Sequence, residues 1–182
     1  MITYLSGDAT RPVDTGGPRI ICHVCNNIGK WGRGFVLALR ERFPCAEAAY
    51  HMWHRGVDLH GSTMKWPKAF ELGNISVVPQ GSILERDRIH VANMIAQHGI
   101  YPDKAGNPPI RYDALNSCLH QLRDAAKQEN ATVHMPRIGC GLAGGEWSKV
   151  ETLIISNLVD HNIDVYVYDF DGDAKSVVPW KK

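Results

Sequence analysis

Twice in this chain a glycine cluster sits between an apolar, strand-like run and an amphipathic, helix-like one, and that repeated junction constrains the fold more than any other feature. Residues 25–35 read CNNIGKWGRGF, with Gly29, Gly32 and Gly34 following an apolar run over 19–25. Residues 137–147 read RIGCGLAGGEW, after an apolar run over 132–136 and before a stretch in which Trp147, Val150, Ile154 and Leu158 recur at helical intervals. Glycine lets the main chain turn sharply and bring its N–H groups close to a ligand, and the start of the following helix favours an anion. Two such junctions can close on a pyrophosphate from both sides.

The remaining segments supply a frame for these junctions. Further strand-like runs fall at 2–5, 75–79, 89–95 and 163–170. Tyr112, Leu115, Leu119, Leu122 and Ala126 recur every three or four residues, which predicts a helix over 112–127 with one buried face. Phe35, Leu39 and Phe43 predict a shorter helix ending at Pro44, and 46–53 predicts another. Alternation of this kind predicts a three-layer α/β/α fold with a mixed, mostly parallel sheet of about six strands, whose ligands bind beyond the carboxyl ends of the strands. Residues 55–74 and 101–109 show no period and read as loops, while 171–182 reads as a C-terminal extension of a domain spanning 1–170.

A chain of 182 residues, 44% of them hydrophobic, can bury one core. Twenty basic and nineteen acidic residues leave a formal charge of +1, so no overall field draws the protein onto nucleic acid or an anionic membrane. The opening residues lack the pattern of a signal peptide and no later stretch is long and apolar enough to cross a bilayer, so a cytoplasmic protein without a membrane partner, acting as a monomer, is expected. Five cysteines, an odd number, fit reduced thiols. Cys22 and Cys25 form a C-x-x-C, but side chains three apart on a strand face opposite ways and no second pair completes a zinc site; neither a metal nor a cofactor is expected.

Residues 139–144 also satisfy G-x-G-x-x-G, a pattern associated with dinucleotide cofactors. That fingerprint belongs in an early βαβ unit with an acidic residue about 20 positions on, whereas here it follows the fifth strand-like run. An NAD-type oxidoreductase is therefore the weaker reading.

Gly7-Asp8-Ala9-Thr10, the Asn26-Asn27 turn, Pro136-Arg137-Ile138-Gly139-Cys140-Gly141-Leu142 and the closing run Val165-Tyr166-Val167-Tyr168-Asp169-Phe170 together resemble the macro domain family, over about residues 1–170. The run around Cys140 is similar to the subclass containing the terminal ADP-ribose protein glycohydrolase and its bacterial relatives, which remove single ADP-ribose units from acidic side chains or from thymidine in DNA. The resemblance implies ADP-ribose, or an ADP-ribosylated protein or DNA, as partner. It assigns Asp8 and the Ala9 backbone to the adenine, and the glycine loops to the pyrophosphate through Gly32, Gly34, Gly139, Cys140, Gly141 and Leu142. Phe170, last on its strand face, is placed either to stack on adenine or to pack under a helix. Trp31 and Phe35 pack on the distal ribose or in the core, and Asn26 lies near that ribose or forms the turn.

The chain departs from the subclass where it matters for catalysis. A lysine nucleophile and an aspartate serve the human-type glycohydrolase; Gln97 and Ala143 occupy those positions here, and neither can form a sugar adduct or transfer a proton. Hydrolysis would then depend on a water oriented by Gln97 or Asn26 and assisted by the ligand's own phosphate. The other reading is a non-catalytic ADP-ribose reader. His98 is a candidate proton carrier, Glu146 a candidate base or helix-start residue, and Cys140 a candidate low-pKa thiol. Lys65, Lys68 and Lys104 could meet a DNA backbone or simply aid solubility.

Overall fold

The computed structural model describes residues 1–58, 60–61, 66–81, 88–170 and the strand residues 178–179. Lys65 and most of 171–182 lie outside these. In chain order the elements are β1 (Ile2–Ser6), β2 (Arg19–Asn26), α1 (Phe35–Arg42), α2 (Pro44–Arg55), β3 (Ile75–Gln80), β4 (Ile89–Gln97), α3 (Tyr112–Glu129), β5 (Thr132–Pro136), α4 (Trp147–Asn157), β6 (Val165–Asp169) and β7 (Val178–Pro179). No helix among the described residues is long and apolar enough to cross a membrane.

The strands form one sheet in the order β3-β4-β2-β5-β6-β1-β7. Its five central strands run parallel, and β3 and β7 pair antiparallel at the two edges. The sheet thus has one strand more than the six expected. Val178–Pro179 pairs with Leu5 and Ser6 of β1, and a two-residue strand is too short to show a period. The strand expected over 163–170 is also shorter: Ile163 is buried in the connection from α4, and Phe170 lies just beyond the last paired residue.

Helices cover both faces. The face under α3 and α4 holds the larger core, where Leu115, Leu119 and Leu122 of α3 are fully buried against Ile20, Ala92, Met94 and Val133. Each such leucine contributes about 1.5–3 kcal/mol by leaving water. On the other face Leu39, Ala46, Tyr50 and Trp53 of α1 and α2 pack on Ile21, Val91 and Ile95. Between these two helices Phe43 leaves the helical conformation (φ −133°), and Pro44 then opens α2 at a position where its missing N–H costs nothing. The 55–74 connection is irregular, as expected, but its described part returns Trp66 and Phe70 to this second core.

Cys22 belongs to the first core and Cys25 to the second, so the C-x-x-C pair straddles the sheet, and all five thiols are free. Burial pushes both thiols well up, away from metal- or redox-competent thiolates. Two histidines are buried as well. His23 meets Asn93 Oδ1 at 2.6 Å, and Asn93 donates to the Ala46 carbonyl at the start of α2. His134 lies between Thr132 Oγ1 and the Tyr168 hydroxyl, each at 2.8 Å.

Burial lowers the pKa of His23 to about 4, and burial together with the Arg19 charge lowers that of His134 to about 3. Both stay neutral in the folded protein where an unfolded histidine, near its ordinary value of about 6.5, already takes up a proton. Their stabilising contribution is complete above that value and is lost as pH falls through it toward the folded values. Urea unfolding should therefore show stability dropping between pH 7.5 and pH 5 by about 2 kcal/mol per buried histidine. Unchanged or greater stability at pH 5 would contradict the neutral buried state.

Candidate ligand-binding cleft

Because β4, β2, β5, β6 and β1 are parallel, their carboxyl ends share one edge of the sheet, and the loops leaving them converge there. A cleft of about 830 Å³ opens at that edge, within the usual range for a small-molecule site. Its walls are the two glycine loops, and the segment after β4 closes one end with Gln97, Ile100, Tyr101 and Pro102. Of the residues expected to contact a ligand, Asn26, Trp31, Gly32, Gly34, Phe35, Gln97, Gly139, Gly141 and Leu142 line it.

The glycines divide into two kinds. Gly29 and Gly139 have φ near +70°, and an added Cβ would lie 2.5 Å from the His54 ring and 2.9 Å from Ile110 Cδ1 respectively, so these two serve turn geometry and packing. Gly32 and Gly141 have nothing within 4 Å of the space a Cβ would fill. They keep the cleft open. Among the described residues no acceptor faces the main-chain N–H groups of Gly32, Arg33, Gly34, Gly141 and Leu142. At Gly34 an added Cβ would lie 3.7 Å from Leu142 Cδ1 of the other loop, so the first loop faces the second there across a gap that a methyl group would fill.

Among the described residues, Lys30, Arg33 and Arg137 line the cleft and no aspartate or glutamate does. Neither Lys30 nor Arg33 makes an ion pair among the described residues. Arg137 is held from behind by Asp169, with Nε and Nη2 donating to the two carboxylate oxygens at 2.6 and 2.8 Å. Its guanidinium also lies 5.4 and 5.0 Å from the ring centroids of Tyr4 and Trp147. Uncommitted N–H groups and cations facing an open volume suit an anionic ligand. Sequence reasoning assigned no role to Arg137 and did not foresee its pairing with a residue on β6.

At the end near β4, a register shift between Cys25 and Asn26 sets Asn26 opposite Gln97. The Asn26 amide is committed to its own loop: Oδ1 accepts from Ile28 N, Lys30 N and the Tyr50 hydroxyl, and Nδ2 donates to the Lys30 carbonyl at 2.7 Å. Beside it in the same turn stands Asn27. Its Oδ1 accepts from Gly99 N at 2.9 Å and its Nδ2 meets His98 Nδ1 at 3.2 Å. Gln97 Nε2 in turn donates to the Gly99 carbonyl at 2.9 Å, and its Oε1 has no donor among the described residues. Trp31 is mostly buried, with its Nε1 donating to the Val36 carbonyl and its ring against His23 and Tyr50.

Asp8, Ala9, Cys140 and Phe170 do not line this cleft. Asp8 and Phe170 follow β1 and β6, adjacent strands whose ends are tied by Gly7 N donating to the Asp169 carbonyl at 2.8 Å. Asp8 caps its own turn, accepting from Thr10 N and Thr10 Oγ1 at 2.8 Å each. Ala9 is buried, and Phe170 is 70% exposed. The Cys140 thiol is shifted upward by burial, against the helix-start activation considered for it. Glu146 is exposed at the start of α4 and pairs with Lys149 at 2.7 Å. No cluster of three or more His, Cys, Asp or Glu suited to a metal ion occurs among the described residues.

No family model matches the chain. Individual proteins do. An ADP-ribose 1''-phosphate phosphatase of Candida albicans is 34% identical over 165 residues, 85% of this chain and 92% of that protein. A chromodomain-helicase-DNA-binding protein 1-like of Danio rerio is 33% identical over 92% of this chain, which spans only 15% of that protein's length. A DNA ADP-ribosyl glycohydrolase of Mycobacterium bovis is 25% identical over 97% of this chain and 44% of its own length. Among solved structures, a protein of unknown function from Bacteroides thetaiotaomicron (44% identity, TM-score 0.81) covers 93% of this chain and 98% of its own. A macrodomain protein from Streptomyces coelicolor (44%, TM-score 0.73) covers 93% and 99% respectively. The macrodomain of Mycobacterium tuberculosis DarG (25%, TM-score 0.69) covers 92% and 97%.

The two kinds of glycine are separable by mutation. Gly139→Ala should cost roughly 1–3 kcal/mol of stability through backbone strain and the clash with Ile110, whereas Gly141→Ala should stay within about 0.5 kcal/mol. Urea unfolding of both variants measures this; equal losses would make Gly141 a packing position rather than an opening.

Proposed function

The chain belongs to the macro domain family, and from that premise we propose that its cleft binds ADP-ribose and hydrolyses the bond joining a single ADP-ribose unit to a modified target. The observation that carries this reading is the pair of open glycine loops with free N–H groups, facing three cations and, among the described residues, no carboxylate. A pyrophosphate is an anion of the kind that such N–H groups and cations suit. In this assignment the loops at Gly32, Gly34, Gly139, Cys140, Gly141 and Leu142 hold the two phosphates, with Lys30, Arg33 and Arg137 balancing their charge. Asp8, Ala9 and Phe170 receive the adenine at the ends of β1 and β6. The distal ribose lies toward Gln97, flanked by Trp31 and Phe35.

Gln97 is the residue assigned to position the attacking water. Its Nε2 is occupied by the Gly99 carbonyl, so its Oε1 accepts a hydrogen bond from the water and fixes it near the anomeric carbon. Asn26 supports the step by holding the loop it organises. The water oxygen bonds to the anomeric carbon while the bond from that carbon to the target breaks, its electron pair leaving with the target atom. The proton lost by the water passes to that atom, directly or through the ligand's own phosphate. The target is an acidic protein side chain or a thymidine in DNA, and the protein acts as a cytoplasmic monomer.

A second reading, a non-catalytic ADP-ribose reader, is favoured by the lack, among the described residues, of a lining carboxylate to serve as a base. An NAD-type oxidoreductase has less support, since the G-x-G-x-x-G run is one wall of a two-walled anion site. Incubation with ADP-ribosylated protein and with an ADP-ribosylated thymidine oligonucleotide is expected to release free ADP-ribose from at least one of them. Tight binding without release from either selects the reader. For the hydrolase, Gln97→Ala should slow release by about a hundredfold or more while changing ADP-ribose affinity only a few-fold; parallel losses would make Gln97 a binding residue alone.

A further inference from the structure

The loop from β1 to β2, residues 7–18, has little apolar surface to hold it down. Ala9 packs with Leu5 and Tyr168 in a small cluster to which Val13 adds. Beneath the loop lies Arg19, only 8% exposed. Its Nη1 donates to the carbonyls of Pro12 and Val13 at 3.2 and 3.4 Å. Among the described residues it has no carboxylate partner, and its Nε is buried without an acceptor. An arginine kept in this state is costly, and the groups it serves are two carbonyls of this loop.

A second set of bonds joins the same loop to the sheet. Val13 N donates to the Tyr168 hydroxyl at 3.0 Å, whose oxygen lies 2.8 Å from His134 Nδ1. His134 Nε2 lies 2.8 Å from Thr132 Oγ1, which meets Thr15 Oγ1 at 3.0 Å. The chain begins at Val13 and ends at Thr15. Tyr166 stacks on the His134 ring at 4.8 Å and keeps it in place.

We propose that Arg19 and the chain through Tyr168 and His134 are positioning residues for the adenine end of the cleft: they clamp residues 7–18 from below, and so set where Asp8 and Ala9 stand. The proposal rests on the ADP-ribose reading for its ligand, but the clamp itself can be tested without one. Tyr168→Phe and Arg19→Met each remove a donor or acceptor while keeping bulk. In the full chain, amide hydrogen exchange over residues 8–15 should accelerate about tenfold or more in either variant, with β2 and β4 unchanged. Arg19→Lys, which retains a cationic donor, should recover part of that protection. In NMR titrations, affinity for AMP should fall about tenfold while that for ribose 5-phosphate changes less than about twofold.

Unchanged exchange in both variants would overturn the clamp, and equal losses for the two ligands would overturn its selectivity for the adenine end. A wild-type protein that binds neither AMP nor ADP-ribose would overturn the ADP-ribose reading and the adenine assignment with it. The exchange measurement would still decide whether Arg19 and Tyr168 hold the loop.

Discussion

Everything at the cleft depends on the parallel pairing of β2 with β4 on one side and β5 on the other. Parallel strands need crossovers, and those after β2, β4 and β5 carry helices over the sheet faces, so both faces become apolar cores and neither can hold a polar ligand. Binding is left to the edge where the strands stop. There β2 ends in one glycine loop and β5 in the other, one strand spacing apart, and their N–H groups face a common volume. The glycines at 29 and 139 exist to make these turns against His54 and Ile110, and those at 32 and 141 exist to leave space.

Polar groups inside the protein follow the same division of labour. His23 with Asn93 ties the central strands to the start of α2, and His134 with Tyr168 ties the sheet to the 7–18 loop. Arg137 is fixed in place at the cleft wall by Asp169 and two aromatic rings. Buried networks of this sort cost stability when half satisfied and confer definition when complete. Among the described residues, Arg19 Nε and Trp66 Nε1 are the buried side-chain atoms left without a partner.

The parts that were legible in the sequence are those encoded within one segment. The periodicity of α3, the apolar runs of the five central strands and both glycine loops are local, and the structure places them within a residue or two of their expected bounds. What was not legible arises from register between distant segments. The shift that sets Asn26 opposite Gln97, the reach of Arg137 to Asp169 and the use of Asn27 to orient the 97–99 turn are of this kind. β7 escaped notice because two residues carry no period. Asn26, a candidate water-holder, proves chemically committed to its loop, since an amide in a glycine-rich turn finds main-chain partners before it finds a ligand.

A methyl group on residue 34 would stand 3.7 Å from Leu142 Cδ1, at ordinary van der Waals distance. Glycine leaves that place empty, so the gap between the first loop and Leu142 is wider by about the size of a methyl group. Leu142 itself is 64% exposed and borders the gap with apolar surface. The width of the opening between the two loops is thus set at position 34 by what its residue lacks, and a larger side chain there would narrow it from one side alone.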